Sequence, residues 1–218
     1  GKNVCGVLEL INRCEDRIFA ERELTLLEIF AGYTSFTLQN ALDAKRAHEL
    51  AKRDDLTGLY NDRWFHSCLT ETLVESDVTG DDAVLLFMDL DNFKKINDMH
   101  GHLAGSQVLR EVGFLLKRVI DLDRATVARY GGDEFVAVLP QTGLANGMRV
   151  AEEIREAIIH TTFLEREYGF GMPALNLRDV LSISIGVAVY HPGNGSGDGS
   201  IESKKNEILH RADEAMYE

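Results

Sequence analysis

The sequence predicts an α/β fold in which a mixed central sheet is flanked by helices and preceded by a long connector helix. Three observations carry this. From about residue 54 onward, short apolar runs of strand length alternate with stretches of helical periodicity, the pattern of a sheet covered by helices. One segment, TVARYGGDEFVAVL at 126–139, holds two apolar runs about a Gly-Gly turn, which reads as a hairpin and brings antiparallel pairing into that sheet. Before residue 54, helical spacing at Leu24, Leu27, Ile29, Phe30, Tyr33 and Phe36 continues through ALDAKRAHELAKRDD with no Gly or Pro to stop it.

In chain order, CGVLELINR reads as a strand and Glu21–Asn40 as a helix that runs on as the connector. The connector's second half is Ala-rich and charged, with Ala47, Leu50 and Ala51 as its apolar positions. Fewer than three clean heptads are present, so a two-stranded coiled coil and a solvated single helix both fit. The turn-like DLTGLYND leads into a helix carrying Trp64, Phe65, Leu69 and Leu73. AVLLFM at 83–88 is a continuous apolar run, as a strand buried on both faces requires. Helices follow over about 105–120 and 144–161, on either side of the hairpin. LSISIGVAVY, β-branched and alternating, is a further strand. GNGSGDGS is a loop, and EILHRADEAMYE a final helix.

The composition, 44% hydrophobic and 27% charged over 218 residues, is that of a globular protein with room for one full domain and a smaller piece. No apolar run approaches the roughly 20 residues of a membrane span, and GKNVCGVLEL lacks the apolar core of a secretory signal. A cytoplasmic protein without a membrane partner is expected. Cys5, Cys14 and Cys68 are too few and too scattered for a zinc site and read as free thiols. A net charge of −13 argues against a nucleic-acid surface, which is usually basic. It leaves open a nucleotide, because carboxylates gathered at one point can bind the Mg²⁺ that accompanies a triphosphate.

Polar features do stand at strand ends. Asp89 and Asp91 follow AVLLFM, while Gly131, Gly132, Asp133 and Glu134 form the hairpin tip. Carboxylates so placed suit a divalent ion held by one or two carboxylates and substrate phosphates. The glycine pair allows close approach of a bulky ligand. The free N–H groups of Asn92, Phe93 and Lys94, at the start of NFKKIND, are a natural phosphate cradle. Taken singly, each has an ordinary alternative: a helix cap for the aspartates, a solvated turn for Gly-Gly-Asp-Glu.

Taken together with DDLTGLYNDR at 54–63, DLDNFKKINDMHGHLAG at 89–105, SISIGVA at 182–188 and RADEAMYE at 211–218, the RYGGDEF segment at 129–135 resembles the GGDEF family of dinucleotide cyclases. The resemblance covers Asp54 to the end. It implies a fold similar to the palm of class III nucleotidyl cyclases and one triphosphate per domain, with two domains facing each other as a homodimer. It further implies two Mg²⁺ or Mn²⁺ ions on Asp89 and Asp133, with the Leu90 carbonyl as a further ligand and Glu134 close by. Asp133 or Glu134 would assist deprotonation of the attacking hydroxyl. The backbone of Asn92–Lys94 would hold phosphates, and Gly131 and Gly132 would let the chain close on the nucleotide.

Two departures refine the expectation. The family reads guanine with an Asn and an Asp; Asn97 is present here, but Ser106 stands at the Asp position. A carboxylate accepts from guanine N1–H and its 2-amino group, whereas a hydroxyl donates or accepts and tolerates adenine. In this residue the chain resembles the hybrid promiscuous subfamily that makes cyclic AMP-GMP, so GTP and ATP are the expected substrates, with cyclic di-GMP as side product. An ordinary GTP-specific diguanylate cyclase is the alternative, and a non-catalytic nucleotide-binding module a further one. The family's inhibitory Arg-x-x-Asp is replaced at Leu122 and Ala125, so product inhibition there is not expected. Residues 1–40 are similar to the last strand and helix of a GAF sensor domain, with 41–53 as a helical linker and 54–218 as the catalytic domain.

Overall fold

A computed structural model describes residues 7–9, 20–120, 124–193 and 199–217. Of the proposed strand over CGVLELINR only residues 7–9 are described, and they are not in a strand; Cys5, Cys14 and Leu122 lie outside the described residues. The chain falls into two units, 1–51 and 52–218. In the first, α1 (Glu21–Leu50) starts where the Glu23 carboxylate accepts the Ala20 N–H at 2.7 Å, and none of its residues is buried. Leu26, Ile29, Phe30, Tyr33 and Phe36 are all exposed along it.

The periodicity predicts that this helix continues through Asp55, but it stops at Leu50 with Ala51 as its cap. The backbone beyond is engaged elsewhere. The Lys52 carbonyl accepts the Asn61 N–H at 2.9 Å, and Asp54 N–H donates to the Leu59 carbonyl at 2.9 Å. The Arg53 guanidinium stacks 3.9 Å from the Tyr60 ring centroid. These pairings, all within the second unit, replace further helical hydrogen bonds.

The second unit is a five-stranded sheet in the order β1-β3-β4-β2-β5, formed by β1 (Tyr60–Asn61), β2 (Ala83–Asp91), β3 (Thr126–Gly131), β4 (Glu134–Leu139) and β5 (Ser182–Tyr190). Only β1 and β3 pair in parallel; the other three pairings are antiparallel, so the sheet is mixed as predicted. β2 lies between β4 and β5, which is why its sequence is an uninterrupted apolar run. Its alternate residues serve two cores. Val84, Leu86, Met88 and Leu90 join Val108, Val112 and Leu116 of α4 (His102–Val119) and Ile154 of α5 (Leu144–Ile159). Leu85 and Phe87 face Phe65, Leu69 and Leu73 of α2 (Asp62–Thr79) and Ile208, Ala212 and Met216 of α6 (Ile201–Tyr217).

Two helices begin earlier than their periodicity suggests. α3 (Phe93–His100) and α4 are separated only by Gly101, whose φ of 84° turns one into the other. α6 begins at Ile201, with the Ser200 hydroxyl accepting the Ser203 N–H at 3.2 Å and Lys204 reaching Asp77 of α2 at 2.7 Å. Tyr190 also donates to Asp77, at 2.6 Å, so a single carboxylate ties α2, β5 and α6 together. Among the described residues, no helix is long and apolar enough to cross a membrane.

Candidate active site

The antiparallel register places Asp89 directly opposite Glu134 of β4, and the hairpin turn brings Asp133 to the same end of the sheet, where the Leu90 N–H donates to the Asp133 carbonyl at 3.3 Å. Burial, and then the negative charges of Asp133, Glu134 and Asp91, push the Asp89 carboxyl above its usual range. Glu134 is raised in the same direction by burial, Asp133 and Asp213. Among the described residues, none of Asp89, Asp133 and Glu134 forms an ion pair. The fold therefore concentrates negative charge here, with no side-chain ion pair to these three carboxylates among the described residues.

That charge fits a divalent cation. Among the described residues no three His, Cys, Asp or Glu side chains stand close enough to hold a metal ion by themselves. The donors available are two or three hard carboxylates at a strand end, the set that binds Mg²⁺ when substrate phosphates complete its coordination. Asp91 is differently used. It accepts from the hydroxyls of Ser182 at 2.6 Å and Ser184 at 2.8 Å on β5, and so holds the strand end rather than capping α3.

The hairpin tip is open. Gly132 has φ 48°, in the left-handed region that favours glycine, and an added Cβ there would meet nothing within 4 Å. At Gly131 the nearest atom would be Glu134 Oε2 at 3.9 Å. A ligand can thus approach the turn backbone. Asn92, the residue before α3, is also left-handed at φ 65°, and no side chain caps the helix. The first-turn N–H groups at Phe93 and Lys94 therefore have no capping side chain. Asn92 and Lys94 are exposed and Phe93 is buried; the Asn92 amide oxygen accepts from Lys95 Nζ at 2.6 Å. Asn97 and Ser106 are half-buried on α3 and α4, and among the described residues neither side chain forms a hydrogen bond.

Sequence reasoning missed the support of the turn. Arg129 donates through Nε and Nη2 to the Gly132 carbonyl at 3.0 and 2.7 Å, and through Nη1 to Asp54 at 3.2 Å. Burial would raise the Asp54 carboxyl, but hydrogen bonds from the Thr57 hydroxyl and N–H, with the Arg129 charge, hold it below its usual range. Lys117 of α4 donates to the Thr57 and Gly58 carbonyls at 3.3 and 2.8 Å, closing the loop from the other side. Asp213 of α6, near enough to act on Glu134, was missed as well. Its signal was present in RADEAMYE, but nothing local shows that this helix returns to the hairpin. At the altered inhibitory motif, Ala125 lines a cavity of ≈ 520 Å³ whose charged lining is Glu75, Arg124 and Arg149. Cys68 is a free thiol raised by burial, consistent with an unreactive side chain.

A mixed sheet with a Gly-Gly hairpin, carboxylates at the strand end and an uncapped helix N-terminus is an arrangement that fits a divalent cation and an anionic ligand together. The sequence profile described as "Diguanylate cyclase, GGDEF domain" matches residues 51–218, and the chain belongs to this family. It is 39% identical over 189 residues to the response regulator PleD of Caulobacter vibrioides, covering 85% of this chain and 37% of that protein. It is 32% identical over 203 residues to diguanylate cyclase A of Treponema denticola, covering 92% of this chain and 49% of that one. The chain thus spans less than half the length of these curated relatives. Among solved structures, it resembles the coiled coil and GGDEF domain of DgcB from Caulobacter crescentus in complex with c-di-GMP. That match has a TM-score of 0.73 and 27% identity, and covers 88% of this chain and 93% of that one.

Proposed function

We propose that this chain is a diguanylate cyclase catalytic region, joining two GTP molecules into cyclic di-GMP with release of two pyrophosphates. The observation that carries the reading is the convergence of Asp89, Asp133 and Glu134 beside an uncapped helix N-terminus. The relatives named as diguanylate cyclases support it. Asp89 and Asp133, with the Leu90 carbonyl, would hold Mg²⁺ or Mn²⁺, and Glu134 would stand beside them. Bound there, the metal would lower the pKa of the attacking 3′-hydroxyl and neutralise charge on the α-phosphate. The α3 N-terminus holds the β- and γ-phosphates through backbone N–H groups, and the open Gly131–Gly132 tip admits the nucleotide. Asp133 or Glu134 assists removal of the hydroxyl proton. Each domain holds one triphosphate, so two copies must face each other for bond formation.

A second reading, cyclic AMP-GMP from ATP and GTP, is favoured by one residue. Among the described residues, Ser106 offers a hydroxyl without an internal partner where a carboxylate would select guanine. Product analysis with equimolar ATP and GTP and Mg²⁺, comparing the protein with Ser106→Asp, separates the two. Ser106→Asp is expected to raise the preference for GTP over ATP by at least about 10-fold, because adenine then faces an acceptor it cannot satisfy. A mixed product that declines in Ser106→Asp supports the second reading; cyclic di-GMP alone from both proteins leaves the first.

For the N-terminal unit we propose that residues 1–40 are the end of a GAF-like sensor and 41–53 the connector that relates two catalytic domains in a dimer. The exposed apolar residues of α1, among them Phe30, Tyr33 and Phe36, support helix pairing. Removing residues 1–50 is expected to lower both dimer formation and turnover; unchanged sedimentation and rate would refute this role.

A further inference from the structure

We propose that Gly105 is a positioning residue for base selection, keeping open the seat in which the Asn97 amide lies. This rests on the cyclase reading above, with Asn97 standing at the position where the family resemblance puts a base-reading Asn. Gly105 is buried on the first turn of α4. A Cβ built on it would fall 2.0 Å from Asn97 Oδ1, 2.9 Å from Asn97 Cγ and 3.2 Å from Phe93 Cζ. The Asn97 amide therefore lies directly over the Gly105 backbone, in the volume any other residue would fill.

The backbone holds this arrangement from below. Gly101 N–H donates to the Asn97 carbonyl at 2.8 Å, and Gly105 N–H donates to the Gly101 carbonyl at 3.3 Å. Asn97 is thereby joined to the start of α4, close to Ser106, while its own amide has no hydrogen-bond partner among the described residues. An amide held by contact with a glycine, and by no hydrogen bond, keeps its donors and acceptor for a ligand. Its direction is set by the space beneath it. Gly105 thus fixes the aim of Asn97, and Ser106 supplies the neighbouring polar group.

The test is Gly105→Ala. Real Cβ contacts essentially never fall below 3.0 Å, so the Asn97 amide must move by about an ångström. A base-reading Asn97 touches the base and not the reacting atoms, so its misplacement removes binding shared by the ground and transition states. The KM for GTP is expected to rise by about 10- to 100-fold, the scale of a lost buried hydrogen bond, with kcat changed less than about threefold and the GTP-to-ATP preference reduced. Alanine's better helix propensity offsets part of the strain, but a Cβ would also press on Asn97 Cγ at 2.9 Å and on the buried Phe93 ring at 3.2 Å, so a modest fall in Tm with folding retained is expected. Asn97→Ala removes the clash, so Asn97→Ala/Gly105→Ala should have the same KM as Asn97→Ala alone.

A wild-type KM in Gly105→Ala, or losses that multiply in the double variant, would overturn the seating role while leaving the cyclase reading intact. A wild-type protein that turns over no nucleoside triphosphate would instead overturn the reading itself, and the seating role with it.

Discussion

Asp133→Ala is expected to lower cyclic dinucleotide formation by at least about 10³-fold, or roughly 4 kcal/mol in the barrier. The same loss is expected for Asp89→Asn. Both positions lie at the carboxylate cluster created by the β2–β4 register, and an amide in place of the Asp89 carboxylate would lack the charge needed to hold a divalent ion. Stability should move the other way. The Asp89 carboxyl is raised in the folded protein by burial and by Asp133, Glu134 and Asp91. The folded state therefore binds its proton more tightly than the unfolded chain does. This favourable contribution is complete below the unfolded value near 3.8 and is lost as pH rises through the higher folded value.

At neutral pH the ionised Asp89 therefore opposes folding, and Asp89→Asn should raise the Tm of the metal-free protein. Near pH 3, below the unfolded value, the difference should vanish. Adding Mn²⁺ or Mg²⁺ should stabilise the wild-type protein at about pH 7, because the ion binds only the folded cluster, and should do little for Asp89→Asn. Calorimetric scans with EDTA and with metal, alongside product assays, read both effects. Equal metal-dependent shifts in the two proteins would place the ion elsewhere.

Gly186→Ala is the substitution expected to cost most in stability. Gly186 lies in β5 opposite Phe87, and a Cβ there would fall 1.9 Å from the Ala212 carbonyl oxygen and 2.6 Å from the Met216 nitrogen. Both are backbone atoms of α6, so no rotamer change relieves the clash and the helix itself must lift. Overpacking of this kind costs about 3 kcal/mol, equivalent to a fall in Tm of roughly 6–12 °C for a chain of this size. Because α6 also carries Asp213 toward Glu134, turnover should fall together with stability. A melting curve matching that of the wild-type protein would show that α6 does not need this close approach.

The same contact explains why two distant sequence signatures occur together. SISIGVA and RADEAMYE meet where Gly186 receives Ala212 and Met216. Each is legible as a strand or a helix, because side-chain periodicity is a local property of the chain. The apolar run of β2, the Gly-Gly hairpin and the carboxylates at the strand end are likewise readable from residues alone, whereas the lack of a cap on α3 is not. So was the substitution at Ser106. These features need no knowledge of what lies opposite them.

The kinds of element, their order and the chemical character of the hairpin tip follow from the residues of each segment. Which groups meet was settled by packing. Register placed Glu134 opposite Asp89, and assigned Asp91 to Ser182 and Ser184. Pairing beyond Leu50 ended α1 there, while close approach tied Arg129 to both Gly132 and Asp54 and set Asn97 against Gly105. One cause is common to all of these. Backbone preference and amphipathic spacing act over a few residues. Pairing register, close approach and shared burial join segments that are separate in sequence, and their contacts exist only once the sheet and its helices have packed.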